Sequence, residues 1–384
     1  MRTALIVGAG IGGLSAAIAL RQAGWRIRIF ERAPSPRELG FGVALAPNAV
    51  AALAELGVAD IVLARGHAPA LIRGEMRRMD GTVFKRAAIA PREMLGGPLM
   101  VALRPALHGA LLDAVGPDVI ALGAEATGFD ATDGRATLHL AGGEKIEGDL
   151  LVGADGIHSA IRRVLHPSEP PPRFSGIVAV RGVVHGVSDS LADLTAVYYL
   201  DAGVESVLIR ASDTGLYWFL ALAQGLVPDG MQDPAAILAQ MAPQFDDTFR
   251  TVTAATDDLR YDALVDRDPI PFWGRGAVTL LGDAAHPLLP QTGQGAAQAI
   301  VDAVALGKAL AADVDVASAL RQHEHVRRER TTALLKQGRR TARVMAMTNP
   351  VACYIREQVV RFAPVTPIVQ LMARINRRAG TDVR

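Results

Sequence analysis

At 384 residues, half of them hydrophobic, the chain can bury a large core and has room for two domains. Its formal net charge of +1 creates no global field to draw nucleic acid or an acidic membrane. The single cysteine, Cys353, excludes an internal disulfide framework and a cysteine-based metal site. Only four basic residues are lysines (Lys85, Lys145, Lys308 and Lys336), so an arginine bias weakens any one Arg as a functional clue. The first 23 residues have the cast of a secretory signal, but cleavage would destroy the glycine turn described next, so that reading is set aside. No apolar stretch is long enough and free enough of charge to span a bilayer. The expectation is a cytoplasmic protein with no stable membrane association.

The chain starts with a β-branched run, Thr3–Val7, that stops at Gly8-Ala-Gly10-Ile-Gly-Gly13 and gives way to an apolar helical segment, Leu14–Ala23. This is the strand, tight turn and helix of a dinucleotide-binding unit. Gly8 allows the turn, Gly10 lets backbone approach a pyrophosphate, and Gly13 lets helix and strand pack closely. The helix N-terminus offers unpaired N–H groups to the phosphates. Arg26–Phe30 reads as the second strand and ends at Glu31, placed to accept from adenosine ribose hydroxyls and to repel a 2′-phosphate. The pattern implies an ADP moiety and leaves NAD or FAD open.

A Pro/Gly-rich connection with Gly40-Phe-Gly42 leads to Asn48, the predicted cap of a helix over Ala49–Glu55. Residues 71–90 alternate like strands around Asp80-Gly81, and Val101–Arg104 leads into a helix reaching about Ala114. Short strands are predicted at Val119–Leu122, Thr137–Leu140 and Lys145–Glu147. The apolar run from Leu150 then ends at Asp155-Gly156, before a helix start at Ser159–Arg162. Ile177–Val187, Thr195–Leu200, Glu205–Ala211 and Leu216–Ala223 read as an antiparallel meander. A helix near Ala235–Ala242 and polar sequence to Pro271 follow. Ala277–Leu281 returns to buried strand, ends at Gly282-Asp283, and feeds a helix over Ala296–Ala312 through a loop with Pro290, Gly293 and Gly295. Arg321–Met347 reads as a charged helix, with two shorter helices and a basic run, Arg374–Arg384, closing the chain. No second glycine-rich nucleotide turn is present, so a reducing nicotinamide would have to visit rather than reside. Asp155 and Asp283 each end a strand where ligands of open α/β sheets bind, so each can hold a ribityl or ribose hydroxyl or simply cap a helix.

Three runs, Gly8-x-Gly10-x-x-Gly13, Asp155-Gly156 with His158, Ser159 and Arg162, and Gly282-Asp-Ala-Ala-His-Pro287, resemble the fingerprints of the single-component FAD-dependent aromatic monooxygenases. The spacing and Gly293-Gln-Gly295 look most like the salicylate hydroxylase branch. The resemblance implies an α/β fold: a discontinuous Rossmann-like, glutathione reductase-like FAD-binding domain over residues 1–72, 98–172 and 275–345. A substrate domain with an antiparallel sheet would take 73–97 and 173–274, and C-terminal helices 346–384. It implies bound FAD, a transient NADH or NADPH, and hydroxylation of an electron-rich ring by O₂ through a flavin C4a-hydroperoxide. The alternatives are an epoxidase or natural-product tailoring oxygenase on the same scaffold, or an FAD-binding ligand sensor without turnover. Glu31 would bind adenosine ribose, Arg104 the ribityl-phosphate side, Asp155 both FAD and the docking nicotinamide, and Asp283 the ribityl chain. Ile11, Gly12, Arg32, Gly42, Val43, Gly156, Arg162, Gly282, Pro290, Gly293, Gly295 and Ala296 complete the implied cofactor set. Two positions depart from the family pattern: Ala297 where an Asn is usual, and Val301 before Asp302 where an acid is usual.

The implied catalytic residues are Pro290, Arg181 and Tyr217. Alternation puts Tyr217, Phe219 and Ala221 on one face of their strand and Trp218, Leu220 and Leu222 on the other; one face is expected to line the pocket, with ordinary core packing the alternative for each residue. Arg181 interrupts an apolar strand and needs a partner, either a substrate anion or an acidic neighbour such as Asp201 or Glu205. The expected partners are a small aromatic substrate and O₂, with the chain a monomer or homodimer, no nucleic acid and no metal.

Overall fold

The computed structural model describes residues 1–35, 41–132, 134–186, 188–311 and 315–365. Gly40, the helix expected at Pro367–Met372 and the basic run Arg374–Arg384 lie outside the described residues. The chain opens with β1 (Thr3–Val7), α1 (Ile11–Gln22), β2 (Arg26–Glu31), β3 (Gly42–Leu45), α2 (Pro47–Glu55) and α3 (Ala59–Ala64). Next come β4 (Ile72–Arg77), β5 (Val83–Ile89), α4 (Pro91–Leu95), β6 (Met100–Leu103) and α5 (Arg104–Val115). Four short strands follow, β7 (Ile120–Leu122), β8 (Ala126–Thr132), β9 (Arg135–Leu140) and β10 (Lys145–Gly148), then β11 (Leu150–Gly153) and α6 (Ala160–Leu165). The middle holds β12 (Arg173–His185), β13 (Ala196–Asp201), β14 (Val204–Arg210), β15 (Gly215–Ala223), α7 (Pro234–Met241), α8 (Asp247–Ala254) and β16 (Leu259–Asp266). The chain then runs through β17 (Val278–Leu280), α9 (Gly295–Ala309), α10 (Val316–Met345) and α11 (Pro350–Phe362).

A five-stranded parallel sheet, in the order β17-β11-β1-β2-β7, gathers segments from both sides of the central region. β11 is apolar throughout and β1 is apolar after Thr3, and Leu5, Ile6, Leu151 and Val152 are fully buried because helices or a small sheet cover both faces. A seven-stranded sheet, in the order β16-β12-β15-β14-β13-β4-β5, forms a roof. One roof face (Val180, Tyr199, Leu208, Trp218) packs on Phe245 and Phe249 near α7 and α8. The opposite face carries Ala179 and Ala221, which pack with Leu289 and with Ala342 of α10.

The predicted meander is corrected in one respect. β13, β14 and β15 are consecutive antiparallel neighbours, but β12 pairs with β15 and β16 rather than with β13. β16 occupies a stretch read as polar connection, because its Asp266 is buried between Arg173 and Arg339 and masks the strand pattern. α2 also starts one residue before the predicted cap. Pro47 takes the first turn, and the buried Asn48 amide caps nothing, both of its polar atoms lacking a partner.

α10, about 45 Å long at 1.5 Å per residue, touches both sheets. Arg321 donates to the carbonyl oxygens of Gly274 and Val278, and Arg339 forms a forked pair with Asp266 of β16. Among the described residues no helix is long and apolar enough to cross a membrane.

Candidate functional site

Gly8 ends β1 at a φ of +98°, with its N–H donating to Phe30 O. A Cβ at Gly13 would lie 1.9 Å from Gly8 O, so only hydrogen fits where α1 meets the turn. Gly10, the N-cap of α1, opens onto free space. The Glu31 carboxylate accepts from Ala9 N at 2.8 Å and Ala33 N at 2.9 Å, tying the turn to the loop after β2. Lone pairs remain on both oxygens for an outside donor. Arg32 is exposed beside it.

Local contacts bring three helix starts together. His108 of α5 places Nε2 2.8 Å from Ala9 O, next to the start of α1. Arg104 N donates to Phe41 O at 2.7 Å, tying the start of α5 to the chain entering β3, where Gly42 and Val43 lie. A Cβ on Gly293 would lie 3.9 Å from Ala44, which brings the loop before Gly295 and Ala296 of α9 to the same strand. None of the three starts has a side-chain cap, and Ile11 and Gly12 sit in the first turn of α1. The N–H groups at the starts of α1 and α9, and the positive dipole ends of all three helices, suit a negatively charged, hydrogen-bond-accepting ligand.

Two carboxylates complete the rim. Asp155, after β11 and before Gly156, accepts from Ala160 N through Oδ2 at 2.7 Å, while Oδ1 is buried and unpartnered. Burial pushes its carboxyl above the ordinary range, against hydrogen bonds from Ser159 and backbone N–H groups. It is therefore a helix cap and an orphan acceptor at once. Asp283, after Gly282, is solvent-accessible yet closely surrounded; its surroundings push the carboxyl up, opposed by His286 and Arg104.

A buried ionic cluster beneath the third turn escapes the sequence reading. Asp302 of α9 accepts from Gly282 N and His286 Nε2 through Oδ2, and from Arg327 of α10 through Oδ1. Arg327 also donates to Gln298 Oε1, and His323 approaches Asp302 O at 3.2 Å. Burial would raise the Asp302 carboxyl, yet Arg327 and His286 hold it well below the usual range. Val301 and Ala297, where the pattern departs, are buried in the core. Arg162, grouped with the cofactor contacts on sequence, has other work. It is buried and donates twice to Glu169 and once each to Ala284 O, Ala285 O and Asp268 O, which spends its five N–H groups. It braces the third turn rather than offering a donor.

On the roof, Tyr217 and Arg181 do come together. A Cβ at Gly42 would lie 2.3 Å from Tyr217 Cδ1, the Tyr217 and Phe41 rings are 6.3 Å apart, and the Arg181 guanidinium lies 5.6 Å over Phe41. The Arg181 partner is neither Asp201 nor Glu205 but Asp262 of β16, at 3.2 Å and without hydrogen-bond alignment. Burial pushes the Tyr217 hydroxyl up to about 12. Pro290 is exposed while Leu289 packs under the roof, so the expected apolar wall is only partly open. The floor can hold an extended, polyhydroxylated diphosphate, since it offers uncapped helix starts, open backbone at Gly10 and the orphan Asp155 Oδ1. The roof closes over it with aromatic rings.

A glycine-turn sheet with one nucleotide site, roofed by a second sheet, defines the flavin-dependent hydroxylase class. The chain belongs to the FAD binding domain family, which matches residues 1–338, and is an FAD-dependent monooxygenase of the aromatic hydroxylase type. It is 34% identical over 368 residues, 94% of each chain, to the aurachin C monooxygenase/isomerase of Stigmatella aurantiaca. It is also 34% identical over 345 residues, 85% of each chain, to 3-hydroxybenzoate 6-hydroxylase 1 of Aquipseudomonas alcaligenes. Its fold is similar to that of Klebsiella pneumoniae HpxO complexed with FAD and uric acid, at a TM-score of 0.91 and 28% identity over 98% of this chain and 97% of that one.

Proposed function

We propose that the chain uses NAD(P)H and O₂ to hydroxylate a small, electron-rich aromatic or heteroaromatic ring held between the roof face and the three helix starts. The carrying observation is the convergence of α1, α5 and α9 on β3, with Phe41 and Gly42 pressed against Tyr217. Bound FAD supplies the electron transfer and oxygen activation that no side chain can perform. In this reading Glu31 accepts from adenosine ribose, Gly10 and the α1 start meet the diphosphate, and Arg104 takes the ribityl-phosphate side. Asp155 and Asp283 accept from sugar-chain hydroxyls. The α9 start, at Gly295, directs its dipole at negative charge developing on the ring system. Tyr217, Phe41 and Phe219 supply a flat apolar wall that orients an aromatic ring and limits water, and Arg181 lies over that wall. Pro290 stands at the opening.

Purified holoenzyme is tested with phenols, aminobenzoates and quinolones for stimulated NAD(P)H oxidation, with products followed by mass. The reading requires one oxygen atom gained per NAD(P)H on a ring carbon as a hydroxyl. An epoxide product would favour the tailoring alternative, and ligand binding with no oxygenated product would refute turnover.

A further inference from the structure

Glu205 is a buried acid of the roof whose chemistry the proposed hydroxylation does not use. It lies on β14, where Val204 and Leu208 face the α7–α8 core, so alternation turns Glu205 to the opposite face, beside Ala221 of β15. Its residue is only 7% exposed, and among the described residues no cation forms an ion pair with it. The contrast is Glu75 in the same sheet, at 9%, which is held by Arg77 at 2.7 Å and Arg86 at 2.8 Å. The Gln291 side chain, in the turn beside Pro290, instead lies close enough to Glu205 to favour its ionised form. Among the described residues neither the buried Glu205 Oε2 nor the buried Gln291 Oε1 has a hydrogen-bond partner. Tyr198 lies close enough to interact electrostatically with both Glu205 and Tyr217. Arg356 also acts on it at a distance but gives its terminal nitrogens to the carbonyls of Val344, Met345 and Asp201. Burial pushes the Glu205 carboxyl up to about 7, against Gln291 and Arg356.

Leaving a buried acceptor unpaired is costly, and two such acceptors from different elements meet here, one from the roof and one from the loop leading to α9. A ligand that relieves both must bring donors. A ligand bearing a carboxylate would meet like charge at an ionised Glu205, while Arg181, over the Phe41 ring, is already paired with Asp262.

We propose that Glu205, supported by Gln291, is the specificity-determining residue of the cleft: it accepts a hydrogen bond from a ring N–H or hydroxyl of a neutral heteroaromatic substrate and turns benzoate-type anions away. This rests on the reading that the cleft binds an aromatic substrate. The donor stays on the ligand and no proton need be transferred; Glu205 fixes ring orientation rather than taking part in oxygen transfer.

The test titrates FAD-loaded protein at about pH 8, where Glu205 is mostly ionised, with 4-quinolone, its N-methyl analogue and 3-hydroxybenzoate, following perturbation of the flavin absorbance. Wild-type protein is expected to prefer the N–H compound over its N-methyl analogue by about 10- to 100-fold, the span of a hydrogen bond to a charged group. Glu205→Gln is expected to shrink that preference to about threefold or less while strengthening 3-hydroxybenzoate binding. A variant that weakens both quinolones equally would have a structural role only, and that overturns the proposal. Tighter wild-type binding of 3-hydroxybenzoate than of 4-quinolone overturns it too. The N-methyl comparison on wild-type protein needs no mutation, so a folding defect in the variant leaves a decisive measurement. If no aromatic ligand of either kind perturbs the flavin, the broader hydroxylase reading fails; if benzoates bind and quinolones do not, only the Glu205 assignment fails.

Discussion

Replacing Asp302 by Asn removes one charge from a cluster in which Asp302 is fully buried and Arg327 is 1% exposed. The side chain keeps its shape, so packing is conserved and the loss is electrostatic. Arg327 then keeps its buried charge beside a neutral amide, with Gln298 among its remaining acceptors. Breaking one side of a buried pair costs about 3–5 kcal/mol, and the surviving amide oxygen and Gln298 put this case near the lower end, about 3 kcal/mol. For a chain of this length that is on the order of 4 °C in melting temperature. The assay is thermal unfolding of wild-type and variant holoenzyme at equal, saturating FAD, because ligand binding itself raises apparent stability. Gly282 N and His286 also lose their carboxylate partner, so FAD affinity should fall as the third turn loosens. The pH dependence has a definite sign. The folded carboxyl is held below its unfolded value, so its stabilisation is present above about pH 4 and is lost as acid protonates it. Asp302→Asn should therefore flatten the acid limb. A shift under about 1 °C, with an unchanged acid limb, would refute the account of Arg327 as dependent on this charge.

Gly13→Ala drives a Cβ into the Gly8 carbonyl, which is backbone and cannot rotate away, so a loss of about 1–3 kcal/mol together with FAD loss on gel filtration is expected. Normal melting with full flavin content would contradict it. Glu31→Ala removes the acceptor for Ala9 and Ala33 N–H and should release FAD on extensive dialysis, whereas a protein that stays fully yellow counts against the ribose assignment. For Glu205, the native carboxyl near 7 binds a proton that the unfolded chain, with its ordinary value of 4.5, has already lost. Its contribution therefore falls as pH rises from 4.5 to 7, by up to about 3 kcal/mol. Glu205→Gln should remove that slope in urea unfolding series, and an identical slope in both proteins would exclude the assignment.

The glycine turn, β1, α1 and β2 were readable because their information is local: spacing within thirty residues sets strand, turn and helix. The second and third turns were readable for the same reason. What sequence could not supply was pairing across long separations. Arg181 was recognised as needing a partner, but Asp262 sits on β16, whose Asp266 answers to two distant arginines and made the strand look like a polar loop. α8 was missed because its threonines are poor helix formers, and a local cap overrides them: Asp246 accepts from Phe249 N and from the Tyr199 hydroxyl. Arg162 reads as a ligand contact on sequence because its donors cannot be counted until Glu169, Ala284 and Ala285 stand beside it. Glu205 was legible only as a charge in an apolar strand, since its lack of a cationic partner is a property of the folded sheet.

α10 acts as a splint. It is fixed near its start to the strand edge at Val278, in its middle to the turn at Gly282 through Asp302, and further on to the roof through Arg339. Tilting roof against floor like a jaw would have to tear a buried guanidinium from its carboxylate at one station or another. Entry past the exposed Asp283 and Pro290 would leave every one of these stations intact, and its rate should respond to changes at that sill far more than to changes in the linkers between the two sheets.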